Sequence, residues 1–289
     1  MKNIEEIIKN NAELIEASLD SLLPQGEASH SLIYEAMRYS AMSGGKRVRP
    51  CLTLEFCRLF GGDVMSAIPY ACAVECVHTY SLIHDDLPCM DDDDERRGKP
   101  TSHKVYGEAN ALLAGDALLT YAFSLIADNP FADADRNCRA VSVLASSAGH
   151  DGMIGGQICD MLYENRDVSF EELAEMHRKK TGDLIAAAAV LGVIAADKER
   201  TLDDSVYADV RKYAYNIGLA FQIVDDMLDP DEGGSDAASG KTTVLSFMST
   251  DEARSLAITL TQGAVAAIRP YPGSDALVEL AVWLAGRSI

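Results

Sequence analysis

Two short stretches of this chain concentrate carboxylates in a way that suits a divalent cation. In the first, the apolar pair Leu82-Ile83 leads through His84 into Asp85 and Asp86, and Asp91 to Glu95 follow as an unbroken acidic run. In the second, Phe221 to Val224 lead into Asp225 and Asp226, with Asp229 close behind. Pro88 lacks an N–H, so a helix arriving at Asp86 is expected to close there and let Asp91 fold back toward Asp85. Asp225 and Asp229 are four residues apart and share one helix face. Grouped carboxylates are hard oxygen donors suited to magnesium (Mg2+), which keeps waters and completes its shell with phosphate oxygens. One Asp-rich helix end reads equally well as a solvated charged surface. Two of them, each preceded by apolar residues that should be buried, point to metal held between facing helices. Neither stretch has the glycine and terminal glutamate of a calcium loop.

The scarce basic residues fall at selected places. Gly44-Gly45-Lys46-Arg47-Val48-Arg49-Pro50 sets three cations behind a diglycine, and Arg96-Arg97 follow the first acidic run. Lys179-Lys180-Thr181-Gly182 lead into the apolar run from Leu184, and Lys241 follows the second acidic cluster. Arginine forks and lysine point charges are common ligands for diphosphates. Any one pair could simply neutralise nearby acids, as Arg96-Arg97 could beside five of them. Together they describe a site for two polyphosphate groups, one held through metal and one directly.

Such side chains need rigid elements to aim them, and helical periodicity dominates the chain. Ile4, Ile7, Ile8, Leu14, Ile15 and Leu19 recur at helical steps until Pro24-Gln25-Gly26. Helices are expected over Tyr70–Ile83, Ala109–Ala127, Val141–Met161, Phe170–Ala195 and Tyr207–Leu228, with strands rare. No break between them is long enough for a linker, so residues 1–289 read as one all-α domain. A helical bundle of this kind builds ligand and metal sites on inward-facing side chains. The apolar fraction, 48%, supports a sizeable core. The longest apolar run, Leu184 to Ala196, is too short to cross a bilayer and reads as a buried helix.

Acidic residues outnumber basic ones, 45 to 25, for a net charge of −20. That field repels nucleic acid and anionic membrane surfaces, so neither nucleic-acid binding nor membrane insertion is expected. The seven cysteines lack a second Cys or His pair at zinc-ligand spacing and read as buried reduced thiols, which points to the cytoplasm. The first residues lack the apolar stretch of a signal peptide. Met37, Met42, Met153, Met161 and Trp283 read as core.

The chain resembles the trans-isoprenyl diphosphate synthases of the polyprenyl synthetase family along nearly its whole length. The resemblance is carried by Gly44 through Pro50, His78-Thr79-Tyr80-Ser81-Leu82-Ile83-His84-Asp85-Asp86 through Gly98, Leu113-Ala114-Gly115-Asp116, Gly155-Gly156-Gln157, Lys180-Thr181-Gly182 and Phe221 through Asp229. It is similar to the bacterial farnesyl diphosphate synthases in its longer first motif and the aromatic at Tyr80. The resemblance implies an all-α fold around a deep central cavity, a homodimer, and the magnesium-dependent joining of isopentenyl diphosphate to an allylic diphosphate (dimethylallyl or geranyl).

Residue by residue, it implies that Asp85 and Asp91 bind metal with Asp86 in support, and that Asp225 does so with Asp226 and Asp229 near it. Arg96, Lys180 and Lys241 would hold the allylic diphosphate, with Thr181, Gln222, Gln157 and Asp160 near its reacting end. Lys46, Arg49, His78 and Arg97 would hold isopentenyl diphosphate. Alone, His78 reads as a core histidine and Gln222 as a packing residue; their place in the matched strings gives them a functional reading. Tyr80 and Ser81, about one turn before Asp85, would line the tail cavity, and a bulky Tyr80 would stop growth at fifteen carbons. The chain departs from the family after Asp229, where no lysine precedes Lys241. The alternatives are a geranylgeranyl or geranyl diphosphate synthase, a terpene cyclase, and a non-catalytic synthase subunit. Lys46, Arg49 and Arg97 speak against the cyclase, and the intact aspartate motifs against the subunit.

Overall fold

Helix α10 (Asp183–Ala196) lies at the centre, and every residue from Asp183 to Ala195 is buried. A helix apolar on all sides requires neighbours on all sides. They are α3 (Val48–Leu59), α4 (Val64–Asp85), α7 (Ala134–Ala148) and α11 (Asp204–Leu228). The computed structural model describes residues 3–164, 166–228 and 242–286. Gly192 brings α10 onto α3 at backbone contact, since a Cβ there would lie 2.3 Å from the Thr53 carbonyl oxygen. Thr53 Oγ1 completes the junction by donating to the Ala188 carbonyl at 2.8 Å.

Around this centre, α1 (Ile4–Leu22) lies on α3, and α6 (Glu108–Ala127) packs along α4 beside α2 (Ser31–Ala41) and the short α5 (Ser102–Tyr106). Gly115 of α6 leaves the space that His84 occupies. By length and composition α6 is apolar enough to cross a membrane, but here it is packed against these neighbours and only partly buried. The helix Thr250–Ile268 runs against α11, and the helix Asp275–Ala285 closes that end. Among the described residues the only sheet is a hairpin of β1 (Glu95–Arg96) and β2 (Lys99–Pro100). The fold is all-α, as the periodicity predicts.

Two helix expectations need correction. The run expected as one helix over Val141–Met161 is two, α7 and α8 (Met153–Tyr163). The glycines at 149 and 152 let the chain turn sharply between them. A Cβ on Gly152 would sit 2.1 Å from the Ser147 carbonyl oxygen, so another residue there would clash with the end of α7. The run expected as one helix over Phe170–Ala195 is α9 (Phe170–His177), a π turn (Arg178–Gly182) and α10. The wider π turn inserts one extra residue without ending the helix, and such bulges cluster at functional sites.

Candidate active site

The C-terminal end of α4 organises the site. The helix stops at Asp85, and the Asp91 N–H donates to the Asp85 carbonyl at 2.8 Å, which folds the acidic run back over the helix end. Pro88 thus does what its missing N–H predicts. Burial pushes the Asp85 carboxyl up to about 6; nearby Lys180 pulls it down, and Asp91 pushes it up again. Asp86 points elsewhere. Its buried Oδ1 accepts from Arg96 Nε at 2.8 Å and Nη2 at 2.5 Å, and Arg96 also donates to Asp93 at 2.7 Å. The two residues expected to serve metal and diphosphate are therefore joined to each other in this structure. Arg97 and Gly98, both at positive φ, form the hairpin tip that separates Arg96 from Lys99. Thr101 donates to the Asp93 carbonyl at 2.8 Å and ties the acidic run to the hairpin.

A cavity of about 500 Å³ opens beside Asp85. Its polar lining includes Asp85, Gln157, Lys180 and Thr181. Its apolar lining includes Tyr80 of α4 with Met153, Ile154, Ile158 and Met161 of α8. Ser81 also lines it. Lys180 Nζ lies 2.5 Å from Asp160 Oδ2, and Thr181 Oγ1 donates to Gln222 Oε1 at 3.1 Å, so α8, the π turn and α11 are tied together at this mouth. Gly156 lets α8 lie directly on the π turn, because a Cβ there would be 2.2 Å from the Lys180 nitrogen. Gly156→Ala is expected to destabilise the fold by about 1–3 kcal/mol as backbone is pushed aside. A thermal melt of the variant beside the wild type checks this.

The core reading holds for Met153, which is buried in the hydrophobic core, and is corrected for Met161. Both line the cavity, and Met161 is exposed rather than buried. Ile154, Ile158 and Met161 recur along one face of α8 but meet empty space instead of another helix. Periodicity marks such a face as apolar without saying what covers it.

A second cavity, of about 490 Å³, lies beside the loop that carries Lys46 and Arg47. Lys46, Arg49, His78 and Arg97 line it, with Glu75, Ile185 and Phe221. Gly44, Gly45 and Arg47 all take positive φ, which makes the tight loop that presents these cations. Arg97 donates to the Gly44 carbonyl, and a Cβ on Gly45 would sit 2.8 Å from its guanidinium carbon. Lys46 Nζ stands 5.1 Å above the Trp283 ring, which is partly buried against the core. Arg49 Nη1 is 3.5 Å from His78 Nε2. Burial, then the charges of Arg49, Arg97, Arg47 and Arg96, hold His78 well below the usual imidazole range, so it serves as a neutral hydrogen-bonding ring. Arg49 and His78 line both cavities, so the two spaces meet at these side chains.

Sequence reading passed over Arg47 and Glu75. Arg47 is fully buried, with Nη1 2.5 Å from Glu75 Oε1, Nη2 donating to the Ala41 carbonyl at 2.7 Å, and Glu16 3.6 Å from Nε. The pair anchors the cationic loop to α4. Its partners are 28 residues apart, and no local pattern announces it. Glu75→Leu should cost about 3–5 kcal/mol by leaving Arg47 buried without that partner, and adding Arg47→Met should restore most of it. Urea unfolding of the single and double variants measures both.

Burial holds the Arg49 guanidinium below its usual range, against the opposing pull of Glu75 and of Asp225 on α11. Asp226 Oδ2 accepts from the Val244 N–H at 2.9 Å, which fixes the chain where it returns after the second motif. Asp229, Lys241 and the segment between them, with its missing lysine, lie outside the described residues. Among the described residues, no three His, Cys, Asp or Glu side chains are gathered closely enough to hold an ion unaided. Magnesium does not require this, since it commonly takes one or two carboxylates and completes its shell with waters and substrate phosphates. Asp85 suits that role: it is an oxygen donor whose charge burial penalises and a cation would stabilise.

Comparison with known proteins decides the family, because the model of the polyprenyl synthetase family matches residues 30–261. The chain belongs to the polyprenyl synthetase family. It is 45% identical over 230 residues to farnesyl diphosphate synthase of Bacillus subtilis, covering 76% of each chain. It is 46% identical over 264 residues to the large subunit 1 of the heterodimeric geranylgeranyl pyrophosphate synthase of Arabidopsis thaliana, covering 86% of this chain and 70% of that protein. Among solved structures, a FPP/GFPP synthase from Zymomonas mobilis superposes with a TM-score of 0.89 at 36% identity, over 98% of both chains. This member of the polyprenyl synthetase family is therefore a trans-prenyl diphosphate synthase, a prenyltransferase of isoprenoid synthesis with the fold of the isoprenoid synthases. Its relatives' names divide between farnesyl and geranylgeranyl products.

Proposed function

We propose that the chain joins isopentenyl diphosphate head to tail with dimethylallyl or geranyl diphosphate and releases farnesyl diphosphate. The observation that carries this reading is the meeting of two unlike cavities at Arg49 and His78. One is cationic and suits a diphosphate held directly. The other has Asp85 and Lys180 at its mouth and an apolar tail space behind, which suits an allylic diphosphate held partly through magnesium. Asp85 and Asp91 from one motif, and Asp225 and Asp229 from the other, would hold that metal; once bound, it neutralises the departing diphosphate.

Arg96 and Lys180 add cationic stabilisation as the allylic C–O bond breaks. The apolar wall from Tyr80 to Met161 surrounds the carbocation with groups that cannot capture it. The Lys180 backbone carbonyl and the Gln222 amide oxygen would steady the positive charge, with Gln222 held by Thr181. The double bond of isopentenyl diphosphate attacks, forming the new C–C bond, and the released diphosphate takes the proton lost. Holding both partners in line supplies up to ~7–11 kcal/mol of the acceleration.

Tyr80 sets the product at fifteen carbons in this reading; the geranylgeranyl names among the relatives make twenty carbons the second possibility. Incubating the protein and magnesium with isopentenyl diphosphate and each allylic starter, then weighing the products, tests it. Products ending at fifteen carbons support the reading. Growth to twenty overturns the assigned length, and no condensation overturns the function.

We also place two copies in the working enzyme. Leu112 and Leu113 of α6 and Ile158 and Leu162 of α8 are large exposed apolar side chains suited to a self-complementary interface. Sedimentation at micromolar concentration should give twice the chain mass, and a monomer would contradict this. All seven cysteines are free thiols, which supports a reducing cytoplasmic setting.

A further inference from the structure

The π turn bears Lys180 and Thr181, yet a π turn is a rare backbone state that its own residues do not favour. Two residues close it, and they are joined twice. The Asp183 N–H donates to the Arg178 carbonyl, and the Arg178 side chain returns along the outside, with Nη1 donating to Asp183 Oδ1 at 2.8 Å. Tyr215 of α11 donates its hydroxyl to the same oxygen at 2.9 Å, while its ring lies 5.6 Å from the Arg178 guanidinium carbon. Glu175 holds the other side of that guanidinium through Nε at 2.7 Å and Nη2 at 2.8 Å. Three residues further along α11, Gly218 has no side chain, and a Cβ there would lie 3.3 Å from the Gly182 Cα. None of Arg178, Asp183 and Tyr215 lines the two substrate cavities. They open on a separate polar cavity of about 420 Å³.

We propose that Asp183, bonded to Arg178 and Tyr215, is a positioning residue that keeps the π turn in shape and so fixes where Lys180 and Thr181 meet the allylic substrate. This rests on the reading of Lys180 and Thr181 given above. Asp183→Ala cuts both side-chain bonds across the turn, Tyr215→Phe removes one, and Asp183→Asn keeps an acceptor oxygen. None adds bulk to a substrate cavity.

The test combines steady-state kinetics, using isopentenyl and geranyl diphosphates with magnesium, and amide hydrogen exchange of the substrate-free protein. Asp183→Ala is expected to lower kcat about thirtyfold and Tyr215→Phe about threefold, with KM for isopentenyl diphosphate within about twofold, because displaced groups cost rate in the allylic cavity only. Exchange should rise in residues 178–183 of Asp183→Ala and remain unchanged in α4, and Asp183→Asn should restore most of kcat. Unchanged kcat, or a KM for isopentenyl diphosphate that rises as far as kcat falls, overturns the proposal. So does unchanged exchange in the turn. Should Asp183→Ala fail to fold, Tyr215→Phe and Asp183→Asn give the same readouts in smaller steps. A wild-type protein that condenses nothing would overturn the function, while exchange still decides whether Asp183 holds the turn.

Discussion

Asp85→Asn is expected to lower turnover about a thousandfold while making the metal-free protein more stable at neutral pH. The two effects share one cause. In the fold the Asp85 carboxyl is raised from its ordinary 3.8 to about 6, first by burial and then by Asp91, against the pull of Lys180. A carboxyl raised by folding keeps its proton longer in the native state than in the unfolded chain. Stability therefore falls as pH rises from about 4 through about 6, and the full penalty remains above that. Asparagine carries no charge to bury, so it avoids up to about 3 kcal/mol of penalty at pH 8 and gains little at pH 4. It also removes the ionised donor that metal and diphosphate need. Denaturant unfolding in chelator at the two pH values, beside turnover with magnesium, measures both effects. An asparagine variant no more stable than wild type at pH 8 would show that burial does not strain this carboxylate.

The second large effect is on the product. Tyr80→Ala should lengthen it from fifteen to twenty or more carbons with the rate of the first condensation little changed. Tyr80 is buried, lines the tail cavity between Asp85 and the apolar face of α8, and packs edge-on against His84 at 5.6 Å. Deleting the ring extends the cavity along α4 without touching the groups at its mouth. The phenol oxygen is buried with no hydrogen-bond partner, so its removal alone should cost nothing. Tyr80→Phe is therefore expected to keep the wild-type product and match or exceed its stability. Product masses from the two variants separate ring volume from hydroxyl chemistry. A fifteen-carbon limit retained by the alanine variant would move the floor to α8.

Much of this site could be read before the fold, wherever a residue's own chemistry dictated geometry. Pro88 cannot continue a helix, and Asp91 duly folds back onto Asp85. The apolar run from Leu184 allows no exposed face, and α10 has none until its last residue. What escaped depends on contacts between distant parts. The π turn differs from an α-helix by one shift of hydrogen-bond partner, which leaves no periodic signal. Gly152 could have sat within a helix; only the nearby Ser147 carbonyl shows why the chain breaks there. Arg47 looks like its neighbours Lys46 and Arg49, yet Glu75 draws it into the core. Met161 has the spacing of a packed face, and the cavity beside it is the space a packed partner would have filled.

Two diphosphate sites of different chemistry meet at Arg49 and His78 in this reading. Equilibrium dialysis measures this directly, with labelled isopentenyl diphosphate and a non-ionisable geranyl diphosphate analogue, each in magnesium and in chelator. Isopentenyl diphosphate is expected to bind in chelator and to be lost in Arg49→Ala, whereas the geranyl analogue needs magnesium and is lost in Asp85→Asn. Equal dependence of both ligands on magnesium, or binding of the analogue at full strength in chelator, would contradict it.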